Sequence, residues 1–225
     1  MSKLSKWTPR TAPQKIVLEG QFVRLEPLNA KAHGDELYAA ATEGEADARF
    51  RWLFENTPTS RTEFQVWLEK VEVSPDPLYF VVIDKASGKV AGRQTFMRID
   101  TTYGVAEIGN IHWGPLIQRK PATTEALFLF ARYLFDDLDY RRFEWKCNNN
   151  NEPSKRAALR YGFQYEGLFR KHMIVKGESR DTAWFAMTDD DWALAKPAFE
   201  AWLAPENFDE TVTQRRTLAS FRQDT

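Results

Sequence analysis

Apolar positions recur along the chain with two periods, and the changes between them lay out the elements. Residues 15–28 alternate around Ile16, Leu18, Phe22 and Leu25, which predicts a strand ending at Pro27. Residues 29–42 predict a first helix capped by Asn29, and residues 45–56 are irregular. In residues 57–73, Phe64, Trp67, Leu68 and Val71 form a helical stripe, capped by Thr59 or Ser60 and ended by Pro75 and Pro77. Residues 78–83 are a near-continuous apolar run, read as a buried strand, and residues 89–99 return as its hairpin partner. A strand opening near Glu107 leads to residues 121–138, where Leu127, Phe130, Ala131, Leu134, Phe135 and Leu138 make one stripe of an amphipathic helix. Residues 142–147 alternate again, with Phe143, Trp145 and Cys147 on one face. Strand, helix and strand in that order predict two parallel neighbours. Asn151 caps the next helix, and Gly162 stands just past its end. Residues 163–175 and 179–187 are strands around a turn at Lys176 and Gly177, and residues 188–204 are a last helix capped at Thr188 or Asp189. Residues 1–14 read as a loosely held arm and residues 205–225 as a polar tail.

Residues 107–138 break their own pattern twice. Ala106 and Ile108 put the apolar face on even positions, whereas Ile111 and Trp113 put it on odd ones. An extra residue at Gly109 or Asn110 would explain the switch as a bulge; a strand buried on both faces would explain it without one. The helix then begins at Pro121 behind Lys120, a poor cap. The amides of Ala122, Thr123 and Thr124, next to Arg119 and Lys120, suit a phosphate or pyrophosphate. The competing account is a water-capped helix end with two solvated cations.

Composition narrows the function classes. The chain has 225 residues, 43% of them hydrophobic, enough for one packed domain. A net charge of −1 creates no overall field for nucleic acid or an anionic membrane. No apolar run reaches the length of a membrane span, and the first residues lack the apolar core of a signal peptide. Cys147 is the sole cysteine, which fits a reducing cytoplasm. Three histidines and one cysteine argue against a zinc site, and no metal is expected.

The segment at Gln118 and Thr124-Glu125-Ala126, followed by Asn151, Ser154, Gly162 and Phe163, resembles the GNAT superfamily of N-acetyltransferases. Within it, the chain is similar to the ribosomal-protein N-terminal (RimJ/RimL-like) group, over residues 15–187. The resemblance implies an α+β, three-layer fold: a mixed, mostly antiparallel central sheet with a splayed parallel pair and flanking helices. Residues 15–188 would be the GNAT-like domain, 1–14 an N-terminal arm, and 189–225 a C-terminal helix and tail. The family's loop runs Gln or Arg, two variable residues, Gly, one variable residue, then Gly or Ala. Gln118 matches its start, whereas Pro121 and Thr123 stand where small residues are usual.

The resemblance further implies acetyl-CoA as cosubstrate and a primary amine, a protein N-terminus or small molecule, attacking directly in a ternary complex. Pantetheine would lie along Ile111, His112 and Trp113, and pyrophosphate on Arg119, Lys120, Ala122, Thr123 and Thr124. Asn151, Ser154 and Tyr161 would form the facing wall. Many relatives protonate the leaving thiolate with a tyrosine, whose place here is Ala158; the N-terminal group uses a serine, matching Ser154. Glu107 is the candidate base, or else a carboxylate paired with a cation that shapes the cleft. Phe50 and Trp52 are candidate acceptor-binding residues. His112 and His172 are further titratable groups nearby. A homodimer is allowed; membrane and nucleic-acid partners are not expected. The substituted loop and missing tyrosine also motivate a non-catalytic acyl-CoA sensor or interaction module.

Overall fold

The computed structural model describes residues 4–223; residues 1–3 of the arm and 224–225 of the tail lie outside the described residues. The strand expected over residues 15–28 is two short ones, β1 (Leu18–Glu19) and β2 (Val23–Pro27), with Leu18 opposite Leu25. Then come α1 (Ala30–Thr42), the short α2 (Ala46–Phe50) and α3 (Arg61–Glu72). Asn29 and Ser60 cap α1 and α3, accepting from the amides of Ala32 and Glu63. The hairpin of β3 (Leu78–Asp84) and β4 (Lys89–Asp100) forms as expected. β5 (Val105–Trp113), α4 (Pro121–Arg132) and β6 (Arg142–Asn148) follow, α4 running on through a π-helical turn at Tyr133–Asp137. The rest is α5 (Glu152–Tyr161), β7 (Gln164–Val175), β8 (Glu178–Thr188), α6 (Asp189–Leu203) and α7 (Leu218–Gln223).

The strands make one sheet in the order β1-β2-β3-β4-β5-β6-β8-β7, antiparallel except where β5 meets β6. It separates two cores. Leu78, Phe80 and Val82 face the larger, under α4, α5 and α6; Tyr79, Val81 and Ile83 face the smaller, under α1 and α3. Both faces of β3 are therefore dry, which is why its sequence does not alternate.

Packing overrides the local reading in three places. α4 is not amphipathic: Ala122 to Ala131 are all buried. Its predicted stripe meets the sheet, where Phe130 stacks on Phe96 at 3.8 Å. Its outer side is covered by α6, with Phe128 5.8 Å from Trp192 and 5.7 Å from Phe199. The tail is docked through buried Leu218 and through Phe208, 5.1 Å from Phe22 and 5.3 Å from Trp202. The arm is docked too: the Trp7 indole N–H donates to Thr102 O at 2.8 Å, and Arg10 Nε to Asp139 O at 2.9 Å. The larger core runs without a break from residue 18 to residue 218, across the expected boundary at residue 188.

Candidate active site

The phase switch in β5 is a bulge. Arg93 pairs with His112 and Thr95 with Gly109, so Asn110 and Ile111 together oppose Gln94. Asn110 takes the left-handed backbone, φ 48°, that such an insertion needs. A Cβ on Gly109 would displace the Met97 thioether, which packs against the bulge there. Pairing between β5 and β6 ends at Ile108 and Trp145, yet β5 continues to Trp113 and β6 to Asn148. A wedge opens there, and strand-edge amides and carbonyls line it.

The loop at the wedge mouth is held from within. Gln118 Nε2 donates to Trp113 O at 3.0 Å, and Arg119 turns the chain with φ 59°. No side chain caps α4 at Lys120. The Lys120 carbonyl accepts from the Thr123 amide at 3.2 Å and from the Thr123 hydroxyl at 3.0 Å. The extra side chain of Thr123 is thus folded back onto the first turn. Thr124 accepts from Arg160 Nη1 at 2.9 Å, which adds a cation from α5 to Arg119 and Lys120. Arg160 was not foreseen, because its partner stands 36 residues away. Buried Tyr161 lies 6.5 Å from the Trp113 ring and 6.1 Å from Trp145; burial raises its phenol pKa, against hydrogen bonds with Thr123 and Thr124.

Another carboxylate supports this loop from behind. Glu125 of α4 accepts the amides of Gln21, Phe22 and Val23 at 2.6, 2.6 and 2.8 Å. It makes the turn that divides the predicted first strand. A Cβ on Gly20 would strike the same carboxylate.

Across the wedge, Asn151 Oδ1 accepts the Ser154 amide at 3.2 Å and sets the first turn of α5. Ser154 Oγ accepts the Trp145 indole N–H at 2.9 Å. One lone pair is occupied, so the hydroxyl proton is left to donate. The buried Cys147 thiol is pushed up by burial, and a hydrogen bond from Ser154 opposes that rise. Ala158 is fully buried in the same helix.

On the other sheet face Glu107 is buried in a ladder of alternating charge. Its Oε2 meets Arg98 Nη1 at 2.6 Å and Lys146 Nζ at 2.8 Å. Lys146 also meets Glu144 at 2.5 Å, and Arg142 joins Glu144 to Glu166 at 2.7 and 2.5 Å. Both ion pairs of Glu107 use Oε2; Oε1 lies beside the bulge, 3.6 Å from where a Gly109 Cβ would stand. The reading of Glu107 as a carboxylate paired with a cation is met at Oε2.

His112 turns the same way, apart from Ile111 and Trp113, which pack against the larger core. Its ring is 2% exposed, 4.8 Å from Phe50, with no hydrogen-bond partner for either nitrogen among the described residues. Burial first, then Arg93 and Arg49, lower its pKa to about 3, so the ring is neutral and does not titrate near neutrality. His172 Nδ1 lies 3.0 Å from the Thr182 hydroxyl on the hairpin of β7 and β8.

Phe50 and Trp52 sit where α2 meets that hairpin. The Lys176 ammonium donates to Phe50 O at 2.9 Å, tying the two together. Phe50 is also a core residue, only 2% exposed. Two cavities flank the tie. One of about 340 Å³ is lined by Asp47, Phe50 and Thr57; one of about 490 Å³ by Trp52, Asn148 and Arg180; both touch Arg51 and Lys176. Among the described residues, no group of three or more His, Cys, Asp or Glu is placed to hold a metal, and no helix is long and apolar enough to cross a membrane.

Comparison with known proteins agrees with this layout. A family model described as an acetyltransferase (GNAT) domain matches residues 23–164. The crystal structure of a GCN5-related N-acetyltransferase from Brucella melitensis is 60% identical, with a TM-score of 0.95, covering 96% of this chain and 98% of that one. An uncharacterized N-acetyltransferase, p20, from Bacillus licheniformis is 33% identical over 118 residues, 51% of this chain and 64% of the relative's own length. A structure titled as the ribosomal L7/L12 alpha-N-protein acetyltransferase RimL is 20% identical with a TM-score of 0.66, covering 80% of this chain and 98% of that one, a likeness of fold alone.

Proposed function

The chain belongs to the GNAT acetyltransferase family, whose members are acyl-transfer enzymes using acetyl-CoA, and from that membership we propose that it acetylates a primary amine by direct attack in a ternary complex. The observation that carries the reading is the wedge itself: β5 and β6 part at a bulge, with an uncapped, cation-flanked helix start at its mouth and Ser154 on its wall. These residues fit the cosubstrate. Arg119, Lys120, Arg160 and the first amides of α4 would hold its phosphates. The edge of Ile111–Trp113 would hold the pantetheine amides, beside Asn151 and Tyr161. When bound, acetyl-CoA supplies an activated thioester.

The protein contributes three things. Glu107 Oε1 takes the ammonium proton, directly or through water, while Arg98 and Lys146 hold the other oxygen still. A backbone N–H at the bulge stabilises negative charge on the acyl oxygen. Ser154, with its lone pair engaged by Trp145, donates its proton toward the departing sulfur. Phe50 and Trp52 contribute to the acceptor side, and the acceptor is a protein N-terminus or a small amine.

The test is thiol release from acetyl-CoA with protein N-termini, polyamines, amino acids and aminoglycosides, alongside calorimetry. Tight acetyl-CoA binding with amine-dependent thiol release is expected. Binding without release from any amine would favour a non-catalytic sensor, the reading that Pro121 and Ala158 motivate. No binding at all would overturn both.

A further inference from the structure

Arg180 on β8 is 7% exposed. A buried guanidinium is costly unless an anion or several acceptors meet it. Elsewhere this chain obeys that rule: Arg93, more deeply buried, meets Glu55 and donates to Asn110 O at 2.9 Å. Arg180 has far less. Its Nε donates to the Thr182 hydroxyl at 3.1 Å, and its guanidinium lies 5.5 Å from the centre of the Phe54 ring. Among the described residues no carboxylate forms an ion pair with it; Glu107, which also favours its charge, is already paired with Arg98 and Lys146. Arg180 lines the cavity of about 490 Å³ together with Arg51 and Lys176. Neither of those is neutralised there: Arg51 stacks on Trp52 and Lys176 is held by Phe50 O. Asp47 and Glu178 also line the cavity; among the described residues neither forms an ion pair with the three cations, and Asp47 accepts the Thr57 hydroxyl at 2.5 Å.

The cavity is close to the chemistry. Asn148, at the end of β6, lines it. The preceding residue, Cys147, packs in the larger core with Trp145, whose indole holds Ser154. We infer that Arg180 anchors a carboxylate carried by the acceptor, so that the acceptor is an acidic amine: a peptide with an acidic residue near its N-terminus, or a free amino acid. The planar guanidinium suits a two-pronged grip on a carboxylate. The inference rests on the acetyl-transfer reading above.

Matched acceptors test it in the full-length protein: Ala-Glu-Ala amide against Ala-Gln-Ala amide, and alanine against alaninamide. The carboxylate member of one pair should be favoured by about tenfold or more in kcat/KM, and the responding pair tells which source of carboxylate is read. Arg180→Gln should abolish the preference by raising KM for that acceptor about tenfold, with KM for acetyl-CoA unchanged. Arg180→Lys, which keeps the charge and loses the fork, should weaken it, and decides the matter if the first variant does not fold. Equal rates within both pairs, or a preference that survives either variant, would overturn the inference while leaving acetyl transfer intact. If no amine releases thiol, acetyl transfer fails instead; titration of the CoA-loaded protein with N-acetylated Ala-Glu-Ala amide then decides for the anion pocket if binding depends on Arg180, and against it otherwise.

Discussion

Ser154, in the first turn of α5, takes its chemical character from a neighbour on β6. The Trp145 indole fills one lone pair and points the hydroxyl proton away from it. Ser154→Ala should therefore lower kcat by roughly a hundredfold, with little change in acetyl-CoA affinity by calorimetry. An unchanged kcat would remove Ser154 from the chemistry. His112 makes a different prediction. Its folded pKa of about 3 lies below the ordinary 6.5, so the unfolded chain binds more protons between those values. The stability it contributes is present above 6.5 and is lost as pH falls toward 3. Urea unfolding followed from about pH 6 to pH 4 should lose up to about 1.4 kcal/mol per pH unit from this group, and His112→Gln should flatten that slope. Asn151 as a cap was legible because its acceptor role is completed within one turn. Glu125, Arg160 and Arg180 were not, because their partners or their cavity come from distant segments.

At the scale of the element, β5 and the start of α4 behave as one device. The change of apolar phase was legible in the sequence and allowed either a bulge or a strand buried on both faces; the pairing of β4 with β5 decided for the bulge. Pro121 opens α4 well, since it needs no amide partner, yet it withholds one N–H from the mouth of the wedge. Pro121→Gly should leave acetyl-CoA affinity equal or tighten it by up to about tenfold, measured by calorimetry. A clear loss would show that the fixed backbone of proline matters more than the extra amide. The division of the first predicted strand was hidden, because Glu125 reaches it from a later element and gathers three amides into a turn.

For the whole molecule, the decisive addition is the second layer over α4. α6 turns a helix that could face water into one buried on all sides, and Phe199 touches both Phe128 of α4 and Tyr161 of the wedge wall. Phe199→Ala should cost roughly 3–5 kcal/mol in denaturant unfolding, since the site is fully packed. It should also weaken acetyl-CoA binding by loosening Tyr161. A loss of stability below about 1 kcal/mol would mean that the layer collapses to fill the gap. The docked tail reinforces this layer from the end of α5, where Arg222 donates to the carbonyls of Leu159 and Arg160.

The order of the main helices and strands, the caps at Asn29 and Asn151, the hairpin and the parallel pair were legible in the sequence alone. Each follows from periodicity or from contacts within a turn, which depend on neighbouring residues only. The family resemblance rested on the same local motifs. Tertiary structure alone decided which charges meet. It gave Glu107 one engaged oxygen and one beside the bulge, brought Arg160 to the phosphate end, and left Arg180 buried at a cavity with no ion pair among the described residues. The physical reason is that ion pairing and desolvation depend on three-dimensional distance, which sequence separation does not encode. Residues 107–138 announced a wedge in the sequence; the fold supplied the groups that face into it.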